Sequence, residues 1–175
     1  MAEAMLGSSR GAGSLSRADG GRLIALLLPV ALLGVAYAFQ YLGGLYPCEM
    51  CWWQRYPHAA AILLAALAFT APAASQRSRI FTLLAAVAIA ISGLIGVYHA
   101  GVEYKIFEGF TTCTSTVKAA STQEMLKQLM AVPLIRCDQV QWSLFGVSLA
   151  GWNAIFSLGG AVVIGWLTWS RGRPQ

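Results

Sequence analysis

A chain of 175 residues in which 57% are hydrophobic and only 11% charged has too few charges to clothe a water-facing surface, which excludes an ordinary soluble domain. Its formal net charge of +5 comes from arginines placed around apolar runs, so it points to membrane lipid and not to a nucleic-acid partner.

The first 22 residues are rich in Gly, Ser, Ala and Arg without apolar periodicity, and are expected to form a disordered cytoplasmic tail. Four charge-free runs follow at about 23–42, 56–74, 80–99 and 144–169, and about 20 apolar residues cross a bilayer core as a helix. Backbone amides in lipid must be satisfied within their own segment, and the Leu, Ala, Ile and Val content suits helices. The expected fold class is therefore all α, an integral membrane four-helix bundle occupying 23–170. Ala36-Tyr37-Ala38 has the form of a signal-peptide cleavage site, but the run continues past it to a spanning length.

Orientation follows from the basic residues. Arg10, Arg17, Arg22, Arg77, Arg79, Arg171 and Arg173 fall on one side, which places both termini, including the tail 171–175, in the cytoplasm. Outer loops then span 43–55 and 100–143. In the second, Ser121 to Glu124 has capping-box spacing, and Thr122, Met125, Leu126, Leu129 and Met130 fall at helical spacing before Pro133. A short amphipathic helix is expected there, lying on the bilayer or packed on the tops of the spans.

All four cysteines, Cys48, Cys51, Cys113 and Cys137, lie in these two loops. Disulfides persist in oxidising compartments, so the outward side is one of these. A C-x-x-C loop is a poor staple, about 1.9 kcal/mol by loop entropy against about 3.5 for the Cys113/Cys137 loop; redox work explains Cys48 and Cys51 better. Cys51 stands near a helix N-terminus and four residues before Arg55, two sources of positive charge that favour a thiolate. The second pair, by itself, fits a structural staple as well as a redox role.

Metal readings fit less well. A zinc ribbon wants two short Cys pairs, whereas Cys113 and Cys137 are 24 positions apart, and haem attachment wants a His where Trp52 stands. No metal is expected. His99, at the outer end of span three, can donate to a carbonyl oxygen or cap its helix; His58, behind Pro57, reads better as packing at a helix start.

Pro47-Cys48-x-x-Cys51-x-x-x-Arg55, Tyr98-His99 leading to Thr112-Cys113, and Arg136-Cys137-Asp138 followed by Trp142 and Gly146 together resemble the disulfide bond formation protein B family, the DsbB-type quinone reductases of bacterial inner membranes. The resemblance runs from Arg22 to Trp169. It implies that Cys48, Cys51, Cys113 and Cys137 are catalytic and that Arg55 and His99 face a quinone, ubiquinone or menaquinone. It also implies a relay: a periplasmic thioredoxin-fold oxidase of the DsbA type attacks Cys113 of a Cys113/Cys137 disulfide, Cys137 exchanges with Cys48, and Cys51 faces the quinone. Resting disulfides within each loop, with a Cys48/Cys137 bridge during turnover, are likewise what the resemblance implies. Two other functions are compatible with the residues alone: a non-catalytic scaffold with static disulfides, and a quinol-driven disulfide reductase.

Overall fold

The computed structural model of the protein describes residues 16–109, 122–123 and 136–169. Among these are four long helices, α1 (Arg17–Tyr41), α2 (Glu49–Phe69), α3 (Gln76–Glu103) and α4 (Leu149–Trp169), and a two-stranded hairpin of β1 (Ser143–Leu144) and β2 (Val147–Ser148). Among the described residues the regular structure is helical apart from this hairpin. Three helices, α1, α3 and α4, are long and apolar enough to cross a membrane. Helix α2 has 21 residues but carries Glu49, Gln54, Arg55 and His58 in its first three turns.

Helix starts are set by caps and not by hydropathy, and this moves three expected boundaries. Ser16 accepts a hydrogen bond from the Asp19 amide, so α1 begins inside the expected tail, at Arg17 instead of residue 23. The Cys48 sulfur does the same for the Cys51 amide, so α2 begins at Glu49 instead of residue 56, and Ser75 caps α3 through the Ser78 amide. Residues 144–148 lie outside α4. Phe145 (φ 52°) and Gly146 (φ 76°) supply the two positive φ angles of a tight hairpin turn, pairing Ser143 with Ser148 and Leu144 with Val147. Of the expected amphipathic segment, Thr122 and Gln123 are helical; the remainder, with residues 1–15 and 170–175, lies outside the described residues.

Small side chains face inward. Gly21, Ala25 and Pro29, four residues apart, are the buried face of α1, and Ala61, Ala65, Ala85, Ala86, Ala88 and Ile89 form the core with Ala25 and Ile164. Large apolar side chains face out: Val162 is 71% exposed, Leu63 69% and Leu94 60%. Such an exterior has no counterpart on water-soluble monomers, whereas helices in lipid pack through small residues and present large ones to acyl chains.

Helix α1 packs on α2 and α4, and α3 packs on the same two. One end of the molecule gathers Arg17 over Trp166, Arg79 over Trp169, and Arg22 donating to the Ala71 carbonyl. The other end holds Cys48 at the start of α2, Tyr104 after α3 and the hairpin before α4. There the Tyr104 hydroxyl donates to the Gly146 carbonyl and accepts from the Ser148 amide, both at 2.8 Å. Helices α3 and α4 meet closely at Gly96, where an added Cβ would lie 3.0 Å from the Ala150 carbonyl oxygen and 3.2 Å from the Ala154 nitrogen. Gly96→Ala is expected to destabilise by about 1–3 kcal/mol through overpacking, read as a lower midpoint of thermal unfolding in detergent. Gly159→Ala, with no atom near the added carbon, is expected to keep or raise it.

Candidate functional site

Cys48, Cys51 and Cys137 are thiols in this structure. The cap geometry of α2 folds Cys48 back over the first turn, which brings its Sγ to 3.1 Å from Cys51 Sγ. Cys137 is buried beside it in a cluster with Met50 and Val102, edged by Cys51 and Tyr98. Cys48 therefore stands between two sulfurs. Its hydrogen bond with Cys137, then that with Cys51, then burial, push the Cys48 thiol far above its ordinary value and keep it neutral.

The Cys137 segment is pinned by charge. Asp138 receives Arg136 Nε and NH2 at 2.8 Å each and Lys105 Nζ at 2.6 Å, and Lys105 also donates to the Asp138 carbonyl at 2.7 Å. Gln141 donates to the Tyr46 carbonyl at 3.1 Å, which ties the two outer segments together.

Beneath the thiols runs a buried polar chain whose direction is fixed by backbone carbonyls, which only accept. Gln54 Nε2 donates to the Met50 carbonyl at 3.1 Å and lies 2.8 Å from His99 Nδ1. That nitrogen of His99 is thus the acceptor, and its proton sits on Nε2, 3.5 Å from Cys48 Sγ. Gln54 Oε1 must then accept, and it receives Asn153 Nδ2 at 2.8 Å, a group that also points at the Ser92 carbonyl and hydroxyl. Asn153 Oδ1 faces His58 Nε2 at 2.9 Å and the Ser157 hydroxyl at 3.1 Å. His58 accordingly carries its proton on Nε2. The histidine expected to be a local packing residue is instead the far end of a network reaching from α2 to α4.

This network floors a cavity of about 370 Å³. Its walls are apolar, with Leu32, Val35, Ala36 and Phe39 from α1 and Leu149, Trp152 and Phe156 from α4; its polar lining includes Cys48, Cys51, Gln54, Arg55, His58, His99, Glu103 and Asn153. Arg55 is 8% exposed. It donates to Gln40 Oε1 at 2.5 Å and to the Ala36 carbonyl at 3.3 Å, and it lies over the Tyr37 and Trp52 rings at 4.7 and 4.9 Å. The structure thus brings Cys48, Cys51, Arg55 and His99 to one cavity with Cys137 packed against Cys48, while Cys113 lies outside the described residues.

Cys48, Cys51 and His99 place three ligand-type atoms within 4.8 Å of one another. The tautomer set by Gln54 turns an N–H, and not a lone pair, toward the sulfurs, so the trio as arranged offers a metal two donors and not three. Gln40, Gln54, Glu103 and Asn153 belong to the site and were not singled out in the sequence. Asn153 carries a signal, being an amide inside an apolar run, where a polar side chain needs a partner across the helix interface; Gln54 falls in the expected outer loop and carries none.

Fold and site define a helical membrane protein with a cluster of three thiols, Cys48 and Cys137 buried and Cys51 half-buried, on the rim of an apolar cavity. The family model for the disulfide bond formation protein DsbB matches residues 19–167, and the chain belongs to that family, whose members are disulfide-forming membrane oxidoreductases. It is 31% identical over 145 residues to the disulfide bond formation protein B of Methylococcus capsulatus, covering 78% of this chain and 85% of that one. Similarity to disulfide bond formation protein B 2 of Pseudomonas syringae pv. syringae is 28% over 153 residues, 80% and 82% of the two chains. An uncharacterized protein of Rickettsia prowazekii is 22% identical over 139 residues, 78% and 79% of the two chains. No solved structure matches.

Arg136 first, and Lys105 with it, hold the Asp138 carboxyl well below the usual carboxylate range. A lowered folded-state pKa contributes stability that is complete above the ordinary value of about 3.9 and is lost as pH falls through the folded one. Asp138→Asn is therefore expected to flatten the dependence of stability on pH below about 4. At neutral pH it should raise the alkylation rate of Cys137 severalfold, measured by mass spectrometry of the labelled peptide.

Proposed function

We propose that the protein reoxidises a periplasmic thioredoxin-fold dithiol oxidase of the DsbA type and passes the electrons to ubiquinone or menaquinone in the bacterial inner membrane. In this arrangement α2 is a fourth span, the four helices form a bundle with both termini in the cytoplasm, and the thiol end faces the periplasm. The arginines at the opposite end agree with that orientation. The observation that supports the proposal is the middle position of Cys48, hydrogen-bonded to Cys51 and to Cys137 on the rim of an apolar cavity that also holds a buried arginine.

The reduced partner's thiolate attacks Cys113 of a Cys113/Cys137 disulfide, forming a mixed disulfide and releasing Cys137. Cys137 attacks Cys48 of the Cys48/Cys51 disulfide, and Cys51 leaves as a thiolate. The partner's second thiol then attacks the partner's own sulfur in the mixed disulfide, releasing the oxidised partner and freeing Cys113, whose attack on Cys137 restores the Cys113/Cys137 disulfide and returns Cys48 as a thiol. Quinone supplies a two-electron, two-proton acceptor at the lipid boundary. The apolar faces of α1 and α4 suit its ring and tail. Arg55, held in place by Gln40 and the Ala36 carbonyl, offers positive charge where a ring oxygen gains electrons. His99 directs its N–H between the Cys48 sulfur and the Cys137 backbone, at the place where Cys48 changes partner from Cys51 to Cys137.

Purified protein is expected to oxidise a reduced DsbA-type partner only when quinone is supplied. Static disulfides in a scaffold would show no turnover at all, and a quinol-driven reductase would run the reaction the other way. Arg55→Ala is expected to slow steady-state turnover about ten- to hundredfold, the loss of one charge-assisted hydrogen bond. The single-turnover exchange with the partner should stay intact; an unchanged steady state would remove Arg55 from the quinone site.

A further inference from the structure

The end of the bundle remote from the thiols carries charge that the redox reading leaves unused. Trp166 and Trp169 are 62% and 73% exposed and Val162 is 71% exposed, while Ile164 and Thr168 of the same helix are buried. Positions 162, 166 and 169 therefore form one outward apolar stripe on the last turns of α4. Helices α1 and α3 both pack on α4, and each lays an arginine from near its own start across that stripe. Arg17 Cζ stands 5.7 Å from the centre of the Trp166 ring, and Arg79 Cζ 5.6 Å from that of Trp169. The corner is closely fitted: a Cβ added at Gly21 of α1 would lie 3.1 Å from Thr168 Oγ1. Neither guanidinium has a carboxylate within ion-pair reach among the described residues. Asp19, the one acidic residue described at this end, is taken by Arg22 and by the Ser16 hydroxyl, each at 2.6 Å.

We propose that this corner binds an anionic phospholipid, its headgroup held by Arg17 and Arg79 and an acyl chain laid along Trp166 and Val162. A guanidinium stacked on an aromatic ring keeps its N–H edge free, and that planar edge matches phosphate oxygens. The starts of α1 and α3 add the partial positive charge of two helix N-termini. Charge of this kind draws any anion, and the stripe selects among them. A free phosphate has no use for exposed Trp166 and Val162, whereas a lipid engages charge and stripe together, with the aromatic rings at headgroup level. Lipid also suits the large apolar side chains over the rest of the exterior, so the corner continues a surface of the same kind. The binding is non-covalent and changes no redox state, so it stands whether or not the thiols pass electrons to a quinone.

The test is the thermal-unfolding midpoint of the full-length protein in neutral detergent, titrated with short-chain phosphatidylglycerol, with phosphatidylcholine of the same chains, or with inorganic phosphate. The rise in midpoint with concentration gives each affinity. Phosphatidylglycerol is expected to bind more tightly than phosphatidylcholine by about fivefold for each arginine, and inorganic phosphate to leave the midpoint unchanged. Arg17→Gln and Arg79→Gln should each cut the preference about fivefold, and the double variant should abolish it. Arg77→Gln removes the same charge from the same helix start. Arg77 lies over Phe81 and, two residues from Arg79, on a different face of α3, so there the preference should survive. Equal affinity of the wild type for the two lipids would overturn the proposal. A loss in Arg77→Gln as large as in Arg79→Gln would overturn it too, by reducing the effect to general surface charge. A rise with inorganic phosphate matching that with phosphatidylglycerol would make the occupant a free anion and likewise overturn it. Should the double variant not fold, the single variants decide on the same comparison.

Discussion

The hydrogen bond from Asn153 to Gln54 joins α4 to α2 at the level of the thiols, and the order of the whole site follows from it. Gln54 is anchored by a carbonyl of its own helix, so its amide has one orientation. From that single constraint the proton positions of both histidines are determined, one on each side of the pair. His99 turns a donor to Cys48, and His58 turns a donor to Asn153 and a bare nitrogen away from it. In a lipid-facing helix there is no water to substitute for a missing partner, so polar groups of this kind either complete one another or destabilise the fold.

The same interface explains how a thiol cluster can be buried in so apolar a chain. Helices α3 and α4 approach closely at Gly96, alanines line the core, and the cavity is walled by apolar side chains of α1 and α4. Cys48 caps α2 with its own sulfur, so the helix that carries Arg55 and Gln54 into the cavity is the helix that begins at the Cys48 and Cys51 thiols. Apart from Arg55 and Glu103, which line the cavity, charge lies toward the two ends: Asp138, Arg136 and Lys105 hold the Cys137 segment from the exposed side, and the arginines with Trp166 and Trp169 mark the opposite end.

Local relations were legible in the sequence. Cys48, Cys51 and Arg55 are close along one helix, and their spacing alone put them on one face. Hydropathy found all four helices, yet it misplaced their starts, because it measures which residues suit lipid while Ser16, Cys48 and Ser75 decide where a helix begins. The turn at Phe145-Gly146 lacks the usual Asn-Gly signature, so hydropathy alone runs it into the fourth apolar stretch. What could not be seen were partners far apart in the chain: Asn153 lies 99 residues from Gln54, and Cys137 reached Cys48 only through the family resemblance. An amide in an apolar run announces that it needs a partner without saying which.

The central claim is that Cys48 is the sulfur through which the two outer segments exchange, with Cys51 and Cys137 as its alternative partners. Disulfide mapping of Cys51→Ser by non-reducing peptide mass spectrometry tests it most directly. With Cys51 removed, Cys48 is predicted to be found joined to Cys137 after mild oxidation. Recovery of Cys48 as a free thiol, or its linkage to another molecule with Cys137 untouched, would contradict the account.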